Sequence, residues 1–319
     1  MPRILFAMLV AAACACAHAQ SSYPSRPVRV VVAFPPGGSA DVLARLLAPK
    51  LGEVWGQTVV VDNKPGASAN IGAENVAKSP PDGYSLLLGT PALAVSAAVF
   101  TNLNYDPQRD LVPAAIVSIF PSVLVVHPSV PVSTPQELVK YAKANPNKLN
   151  FASAGSTSAI RFAFEHLRQI TGFDAVHVAY KGSAPSTQAM LSGEAQTMMM
   201  TLVDALPHIK SGKLRPLAAT TVARIASLPD LPTLAETVAP GFDYIIWHGF
   251  LVPAGTPPEI IAKINRDVNA VLRQPDIRER LTALGMEVRT QTPAEFGDLL
   301  RGEIQKWKEV ARFANIKAE

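Results

Sequence analysis

Two short segments rich in glycine and hydroxyl side chains are the places where this chain could bind a small molecule. The first, residues 34–41 (FPPGGSAD), joins a run of β-branched residues to a stretch with helical spacing. Gly37 and Gly38 allow positive φ angles and let the backbone approach a ligand closely. The free N–H groups at a helix start, with the positive end of the helix dipole, favour an anion. This junction therefore predicts a site for a negatively charged ligand.

The second segment, residues 151–158 (FASAGSTS), also leads from a strand pattern into a helix pattern. Gly155 is followed by three hydroxyl side chains, and Arg161 lies about one helical turn further on. A guanidinium group there could bind a carboxylate through two parallel hydrogen bonds. Because ligands of open α/β sheets bind at the carboxyl ends of the strands, the two junctions together predict one anion site.

Each of these features also has an ordinary structural interpretation. The first junction fits a simple capped turn, with Ser39 or Asp41 as the cap of the helix. Arg161 fits a solvent-exposed helix residue equally well. The case for a ligand site depends on there being two matched junctions rather than one.

Smaller features at other strand ends complete the predicted site. Thr90 and Pro91 follow a third strand pattern, Tyr180 follows another, and Met200 ends a methionine-rich strand that otherwise fits a buried core. The candidate ligand-binding residues are Phe34, Pro36, Gly37, Gly38, Ser39, Ala40, Thr90, Pro91, Gly155, Ser156, Thr157, Ser158, Arg161, Tyr180 and Met200.

No motif in the sequence points to catalysis. There is no Gly-x-Ser-x-Gly elbow, no Walker loop and no G-x-G-x-x-G after a strand pattern. The histidines lack metal-ligand spacing, so we expect no metal, no cofactor and no enzymatic activity. A secreted serine hydrolase stays open as an alternative, with Ser39 or Ser158 and a distant histidine. A net charge of +4 without a clustered basic stripe excludes a nucleic-acid binder.

The first residues have the pattern of a secretory signal peptide. Arg3 precedes an apolar run, and Ala17-His18-Ala19 is a small-x-small cleavage pattern, which predicts a leader over residues 1–19. Both cysteines, Cys14 and Cys16, lie inside it, so a mature chain would have no thiol. A lipid anchor at either cysteine is less favoured than simple cleavage. We therefore expect a periplasmic protein.

Strand and helix patterns alternate along the remaining chain. Residues 28–34, 58–62 and 84–88 read as strands separated by helical patterns, and the same rhythm returns between 123 and 200. This order predicts an α/β fold with parallel strands. Thr134, Thr256 and Thr292 each precede a Pro and stand three residues before a Glu, which predicts three capped helix starts.

Two extended stretches, 115–126 and 242–253, lack this local rhythm and are long enough to cross between two lobes. They predict a two-lobed architecture with a two-strand hinge. Lobe one would contain residues 21–120 and 249–319, and lobe two residues 121–248. We expect a monomer.

At this point the sequence resembles the Bug/TctC family of periplasmic solute receptors, the binding components of tripartite tricarboxylate transporters. The resemblance covers nearly the whole chain after the leader. It is carried by the blocks YPSRPVRVVVAFPPGGSADVLAR, VVVDNKPGASANIGAENVAKSPPDGYSLLLGT, YDPQRDLVPAA, VAYKGSAP, LPHIKSGKLRPLA and WHGFLVPAGTPPEI.

The resemblance implies a type II periplasmic-binding-protein fold and capture of a small carboxylate, a di- or tricarboxylate or an aromatic acid, by lobe closure. It also implies transient contact with inner-membrane transporter subunits, or with a sensor kinase if the receptor is an orphan. The chain departs from the family's pattern at Thr157, Arg161 and Met200. From these departures we expect a more cationic and more apolar pocket, suited to plain carboxylates rather than to ligands with an ammonium group.

Overall fold

A computed structural model of the protein describes residues 23–317. The predicted leader and both cysteines lie outside the described residues. Eleven strands in this part of the chain form two separate sheets. No described helix combines the length and the apolar character that crossing a bilayer demands.

The larger sheet has six strands in the order β11-β4-β10-β3-β1-β2. Their bounds are β1 Val28–Val32, β2 Val59–Asn63, β3 Ser85–Gly89, β4 Leu111–Phe120, β10 Ile246–Pro253 and β11 Glu287–Val288. Strands β1, β2 and β3 are parallel, whereas β10 runs antiparallel to both β3 and β4. These three parallel strands correspond to the strand patterns predicted at 28–34, 58–62 and 84–88.

The smaller sheet has five strands in the order β7-β6-β8-β5-β9. Their bounds are β5 Ser122–Val126, β6 Asn150–Ser153, β7 Val176–Ala179, β8 Thr197–Thr201 and β9 Arg215–Ala219. Strand β6 is parallel to β7 and β8, and β5 is antiparallel to β8 and β9.

Helices cover the faces of both sheets. They are α1 Ser39–Trp55, α2 Asn70–Ala77, α3 Ala92–Val99, α4 Pro135–Ala144, α5 Ala159–Thr171, α6 Ser183–Ser192, α7 Leu202–Lys210, α8 Leu234–Thr237, α9 Pro258–Leu272, α10 Pro275–Ala283 and α11 Pro293–Phe313. A 3₁₀ turn, Ala67–Ala69, precedes α2. Helix α1 continues through Pro49, which the sequence predicts as a kink.

The chain passes between the sheets twice, which confirms the two-lobed architecture with two connecting strands. The first passage is at Pro121, between β4 and β5. The second lies between Tyr244, whose N–H donates to the Thr220 carbonyl at 2.9 Å, and Ile246, which pairs with Phe120 in the larger sheet. The predicted lobe boundaries at 120 and 248 stay a prediction.

Two of the three predicted helix caps are confirmed. Thr134 and Thr292 accept from the N–H groups of Glu137 and Glu295 at 3.1 and 3.2 Å. The expectation for Thr256 is wrong, because α9 begins at Pro258 and the Thr256 hydroxyl donates to the Pro253 carbonyl at 2.7 Å. The Pro253 carbonyl binds the hydroxyl that would otherwise cap the helix. The Thr-Pro-x-Glu spacing cannot indicate such a competing partner.

The last helix, α11, packs against both lobes. It contacts α3 and β4 beside the larger sheet and α5 beside the smaller one. The Trp307 ring lies 6.0 Å from the Phe162 ring of α5, and the Glu303 carboxylate accepts from the Trp247 indole at 2.6 Å. Because these side chains are buried, α11 joins the lobes through one continuous core.

Candidate functional site

An interlobe cavity of about 700 Å³ lies where the ends of the two sheets face each other. From the larger-sheet lobe it is lined by Phe34, Pro35, Pro36, Gly38, Ser39, Ala40, Ser68, Thr90, Pro91 and Ala92. From the smaller-sheet lobe it is lined by Ala154, Gly155, Thr157, Ser158, Ala159, Ile160, Gly182 and Ser183. The connecting segment adds Tyr244, Ile246 and His248.

Four helices begin at the wall of this cavity. The first residues of α1, α3, α5 and α6 or their caps all line it. The N-terminal residues of α1, α3 and α6 receive no side-chain capping bond from their caps Gly38, Pro91 and Gly182. Helix starts leave N–H groups without intrahelical partners, and their dipoles favour negative charge. The cavity wall is therefore suited to an anion.

None of the described residues that line this cavity carries a charged side chain. The expectation of a more cationic pocket is wrong for this structure. An anion there would be stabilised by oriented N–H groups and hydroxyls rather than by ion pairs. Such fixed dipoles act strongly where water is excluded, because the effective dielectric constant is low.

The first junction is held in place by Asp41. Its carboxylate accepts from the Gly37 N–H at 2.9 Å, from Arg45 Nε at 3.0 Å and from Asn63 Nδ2 at 2.9 Å. The hydrogen bond from Arg45, with those from Gly37 and Asn63, lowers the pKa of Asp41 to about 2. Asn63 also donates to the Phe34 carbonyl at 3.1 Å. Asp41 thus fixes the turn through these hydrogen bonds. The alternative that Ser39 or Asp41 caps the helix is wrong, because Gly38 occupies the cap position and no side chain caps it.

The second junction is held by its own hydroxyls. Ser158 caps α5 by accepting from the Arg161 N–H at 3.4 Å, and its hydroxyl donates to the Gly155 carbonyl at 2.8 Å. Gly155 has a φ of +149°, which an L side chain rarely adopts. The Gly182 N–H donates to the Ala154 carbonyl at 3.2 Å, which ties this loop to the start of α6.

The Arg161 guanidinium does not line the cavity. Its Nη1 donates to the Ser156 carbonyl at 2.7 Å, and its Nε lies 3.9 Å from the Glu165 carboxylate. Burial lowers the pKa of Arg161, with Glu165 acting in the opposite direction. The guanidinium therefore supports the 155–158 loop from behind, and a direct contact with a ligand stays a prediction.

Three other predicted residues also lie off the cavity wall. Ser156 is not part of the lining, Tyr180 donates from its hydroxyl to Glu194 at 2.9 Å, and Met200 is buried opposite Val123 in the smaller sheet. Gly37 lines a neighbouring hollow rather than the cavity itself.

The remaining ten predicted residues do line the cavity, although their contact with a ligand is untested. They are Phe34, Pro36, Gly38, Ser39, Ala40, Thr90, Pro91, Gly155, Thr157 and Ser158.

Sequence reasoning missed the residues that close the cavity between the lobes. Ser68 lies in a 3₁₀ turn where Ala67, Ser68 and Ala69 all have positive φ, and its hydroxyl is 3.5 Å from that of Thr157 across the cavity. The sequence Ala-Ser-Ala does not indicate three consecutive residues with positive φ. The start of α6 was missed because the helix pattern reads clearly only from residue 186 onward, whereas the helix begins at Ser183.

The hydrolase alternative lacks a catalytic pair at the expected serines. Within the described chain, the Ser158 hydroxyl is used by the Gly155 carbonyl, and neither Ser39 nor Ser158 has a hydrogen bond to a histidine. Ser153 lies 2.7 Å from His177 Nε2, but it is fully buried and also donates to the Gly155 carbonyl. A buried serine in these bonds is placed to position the loop rather than to attack a substrate.

Two α/β lobes, joined by two strands and facing each other over an anion-suited cavity, define the class of periplasmic binding proteins. Residues 43–316 match the model of the "Tripartite tricarboxylate transporter family receptor". The chain belongs to this TctC family, as the resemblance predicted.

Individual relatives agree over nearly the whole chain. A protein encoded in the tcbD–tcbE intergenic region of Pseudomonas sp. (strain P51) is 34% identical over 311 residues, which are 97% of this chain and 93% of that protein. Rpa4515 of R. palustris, solved with adipate, is 35% identical with a TM-score of 0.78, covering 92% of this chain and 99% of that one. MatC of Rhodopseudomonas palustris, solved with malate, is 32% identical with a TM-score of 0.75, covering 90% and 99%.

Proposed function

We propose that this protein is an extracytoplasmic receptor that captures a small carboxylate in the interlobe cavity. The observation that carries the proposal is the convergence of four helix starts on a cavity wall without charged side chains. A carboxylate there would accept hydrogen bonds from backbone N–H groups and from hydroxyls such as those of Ser39 and Thr157. Relatives solved with adipate and malate support this ligand class.

The proposed mechanism is capture by lobe closure. The lobes, 21–120 with 249–319 and 121–248, would rotate about the two connecting strands. A carboxylate that touches helix starts on both sides has more contacts in the closed form than in the open form. Its binding therefore shifts the equilibrium towards closure. The ligand would leave chemically unchanged.

We propose that the closed form is recognised by the membrane subunits of a tripartite transporter, in the periplasm after removal of residues 1–19. The family description supports this partner. An orphan receptor that signals to a sensor kinase would use the same cavity. Uptake of a labelled ligand by cells that lack the receptor gene, with and without its reintroduction, separates the two.

The ligand class is tested by thermal unfolding of the purified protein with C4–C8 dicarboxylates, citrate, benzoate-type acids, nicotinate, amino acids and neutral sugars. We expect saturable stabilisation by at least one carboxylate, because a ligand that binds only the folded state raises its stability by mass action. A response to sugars or divalent cations alone, with none to any carboxylate, would contradict the proposal.

A further inference from the structure

The loop that ends α10 touches α7 of the opposite lobe at Gly285. A Cβ on Gly285 would lie 2.5 Å from the Val203 Cβ, whereas ordinary van der Waals contacts are 3.4–4 Å. Gly285 precedes β11 of the larger sheet, and Val203 lies in the first turn of α7, which follows β8 of the smaller sheet. The missing side chain of Gly285 therefore makes room for a residue of the other lobe.

The Gly285 backbone is fixed by the end of α10. Its N–H donates to the Thr282 carbonyl and the Met286 N–H donates to the Leu281 carbonyl, both at 2.9 Å. These two bonds form a Schellman motif, in which the residue with positive φ, here +70°, is usually a glycine. The motif alone accounts for a glycine, so a role for the contact with Val203 requires a control that has the motif without the contact.

Gly212 supplies that control within the same protein. It ends α7 in the same motif, since its N–H donates to the Ile209 carbonyl at 3.0 Å and the Lys213 N–H donates to the His208 carbonyl at 2.9 Å. Its φ is also +70°, but beyond its chain neighbours no atom of residues 23–317 lies within 4 Å of the place for a Cβ. Alanine brings the same backbone strain at both glycines, and only at Gly285 does it also meet the opposite lobe.

The Val203 Cβ cannot move aside by itself. The first turn of α7 is anchored to the first connecting strand, because the Leu202 N–H donates to the Pro121 carbonyl at 2.9 Å. A Cβ is fixed by the backbone, so a change of side-chain rotamer does not relieve an overlap with it. A side chain in place of Gly285 therefore pushes α7 and the α10–β11 loop apart.

This contact lies in the same interlobe space as the cavity. A neighbouring hollow of about 330 Å³ continues the cavity and is also lined by Val203. The cavity and the hollow share four lining residues, Ser39, Ile160, Ser183 and Ile246. Val203 and Gly285 in turn both line a groove of about 800 Å³ beyond the hollow. A wedge at Gly285 therefore opens the space between the lobes that capture has to close.

The lobes also touch across the cavity itself, where the hydroxyls of Ser68 and Thr157 are 3.5 Å apart. This arrangement brings helix starts of both lobes to one cavity, so a captured carboxylate stabilises it. We propose that Gly285 is a positioning residue for capture, because its missing side chain lets α7 lie against the α10–β11 loop when the lobes close. The inference rests on the proposed function and assigns a role in it to a residue outside the cavity.

The expected effect is a loss of affinity without a change in the cavity. A ligand binds more weakly when the arrangement that it requires is less populated. We expect Gly285→Ala to weaken carboxylate binding by about fivefold or more, chiefly through faster dissociation. Gly212→Ala should bind within about twofold of the wild type. Without ligand, both variants should lose the same few degrees of melting temperature, since both carry the same backbone strain.

The affinities are measured by titration calorimetry of the mature protein with adipate, malate, citrate and benzoate. Small-angle X-ray scattering with and without saturating ligand measures the separation of the lobes. We expect the wild type and Gly212→Ala to contract on binding, and Gly285→Ala to remain more extended. A glycine that served only to end its helix would not change the scattering.

Rescue by a second substitution tests the contact directly. Val203→Gly removes the Cβ that Gly285→Ala would meet, so the double variant should bind within about twofold of Val203→Gly alone. Val203→Ala keeps that Cβ and should not restore the affinity of Gly285→Ala. If Gly285→Ala does not fold, as judged by circular dichroism, Gly285→Asn takes its place with Gly212→Asn as its control, since asparagine tolerates positive φ and also has a Cβ.

Equal or tighter binding by Gly285→Ala than by Gly212→Ala overturns the inference, as does a loss that Val203→Gly leaves in place. A wild type that binds none of the four acids and no other carboxylate instead overturns the proposed function. The two failures are therefore distinguishable.

Discussion

At the scale of single residues, we propose that the ligand is bound by backbone N–H groups more than by side chains. Ser39 and Ala159 are the first residues of α1 and α5, and both line the cavity. Their caps, Gly38 and Ser158, have extended backbones with ψ of 168° and 145°. Proline fits the first position of a helix and tolerates an extended residue before it. A proline there removes one N–H without breaking the helix.

We therefore predict that Ser39→Pro and Ala159→Pro each weaken carboxylate binding by about tenfold, because each deletes a donor to a charged acceptor, worth about 1.5–3 kcal/mol. The melting temperature without ligand should change little. Titration calorimetry against the best ligand of the screen measures the effect.

Ser39→Thr and Ala159→Ser are the matched controls, since both keep the N–H and the threonine also keeps the hydroxyl. They should bind within about threefold of the wild type. Full affinity in both proline variants would show that these two helix starts do not hold the ligand.

Arg161 gives a second test at this scale. Its guanidinium binds the Ser156 carbonyl behind the loop. We predict that Arg161→Ala lowers the free energy of unfolding by about 1 kcal/mol, because it removes a hydrogen bond that holds the 155–158 loop, and that it weakens ligand binding by less than tenfold. Chemical denaturation and calorimetry on the same variant measure both quantities. A loss of more than tenfold at unchanged stability would instead place the guanidinium on the ligand.

Sequence alone could name the loops of the site but not the direction of their side chains. Gly38 and Gly155 could be predicted as cavity-lining residues because each lies in a glycine-rich junction at the end of a strand pattern, where ligands of open α/β sheets bind. Arg161 and Met200 could not be placed, since helical spacing fixes a residue's position and leaves the partner of a long side chain open.

At the scale of elements, the strongest local signals gave correct bounds. Helix α4, Pro135–Ala144, begins where the capped start at Thr134 predicted it, because the cap and the proline at the first helical position agree. Helix α3, Ala92–Val99, was not predicted, because its run of alanine and valine has no polar face and is buried against α11. The first turn of α6 is hidden for a different reason, because its residues, SAPS, have the composition of a loop.

The caps allow a prediction that separates stability from binding. Thr292 forms a complete capping box with Glu295 at the start of α11, far from the cavity lining. We predict that Thr292→Ala lowers the free energy of unfolding by about 1 kcal/mol, while the carboxylate affinity stays unchanged. Denaturant titration with and without ligand measures both. Thr292→Ser, which keeps the cap oxygen, should restore the stability, and a weakened affinity would reveal a coupling between α11 and the cavity.

At the scale of the whole molecule, a buried carboxyl lies where α11 joins the lobes. Burial raises the pKa of Glu303 to about 7, against weaker opposing effects of Lys306 and the Trp247 indole. A folded pKa above the unfolded value means that the folded state binds the proton more tightly. The contribution of Glu303 therefore favours folding most at low pH and falls as the pH rises from about 4.5 to about 7.

We predict that Glu303→Gln becomes more stable relative to the wild type across this window, by up to about 3 kcal/mol, and that the difference is constant above it. His177 and His248, whose pKa values are lowered by burial to about 4, give the opposite slope in both proteins. Denaturation of the two proteins between pH 4.5 and 8.5 therefore isolates Glu303 by subtraction. A difference that does not vary with pH would contradict the raised pKa.

The two-lobed architecture was predictable because it follows from the order of strand and helix patterns and from the two long stretches without that rhythm. The role of α11 was not. Its amphipathic pattern shows that one face is buried, but periodicity does not say that the buried partners belong to both lobes. Contacts between residues as distant as Phe162 and Trp307 depend on the folded chain.

The absence of charged side chains from the described cavity lining has a consequence for how such a receptor can change over generations. Every amino acid except proline has a backbone N–H group. Most single replacements at the helix starts therefore keep the hydrogen bonds that could stabilise a negative charge. A replacement does change the side-chain groups that line the cavity. New nutrients can therefore be accepted through a few replacements there, without rebuilding the part of the protein that recognises acids as a class.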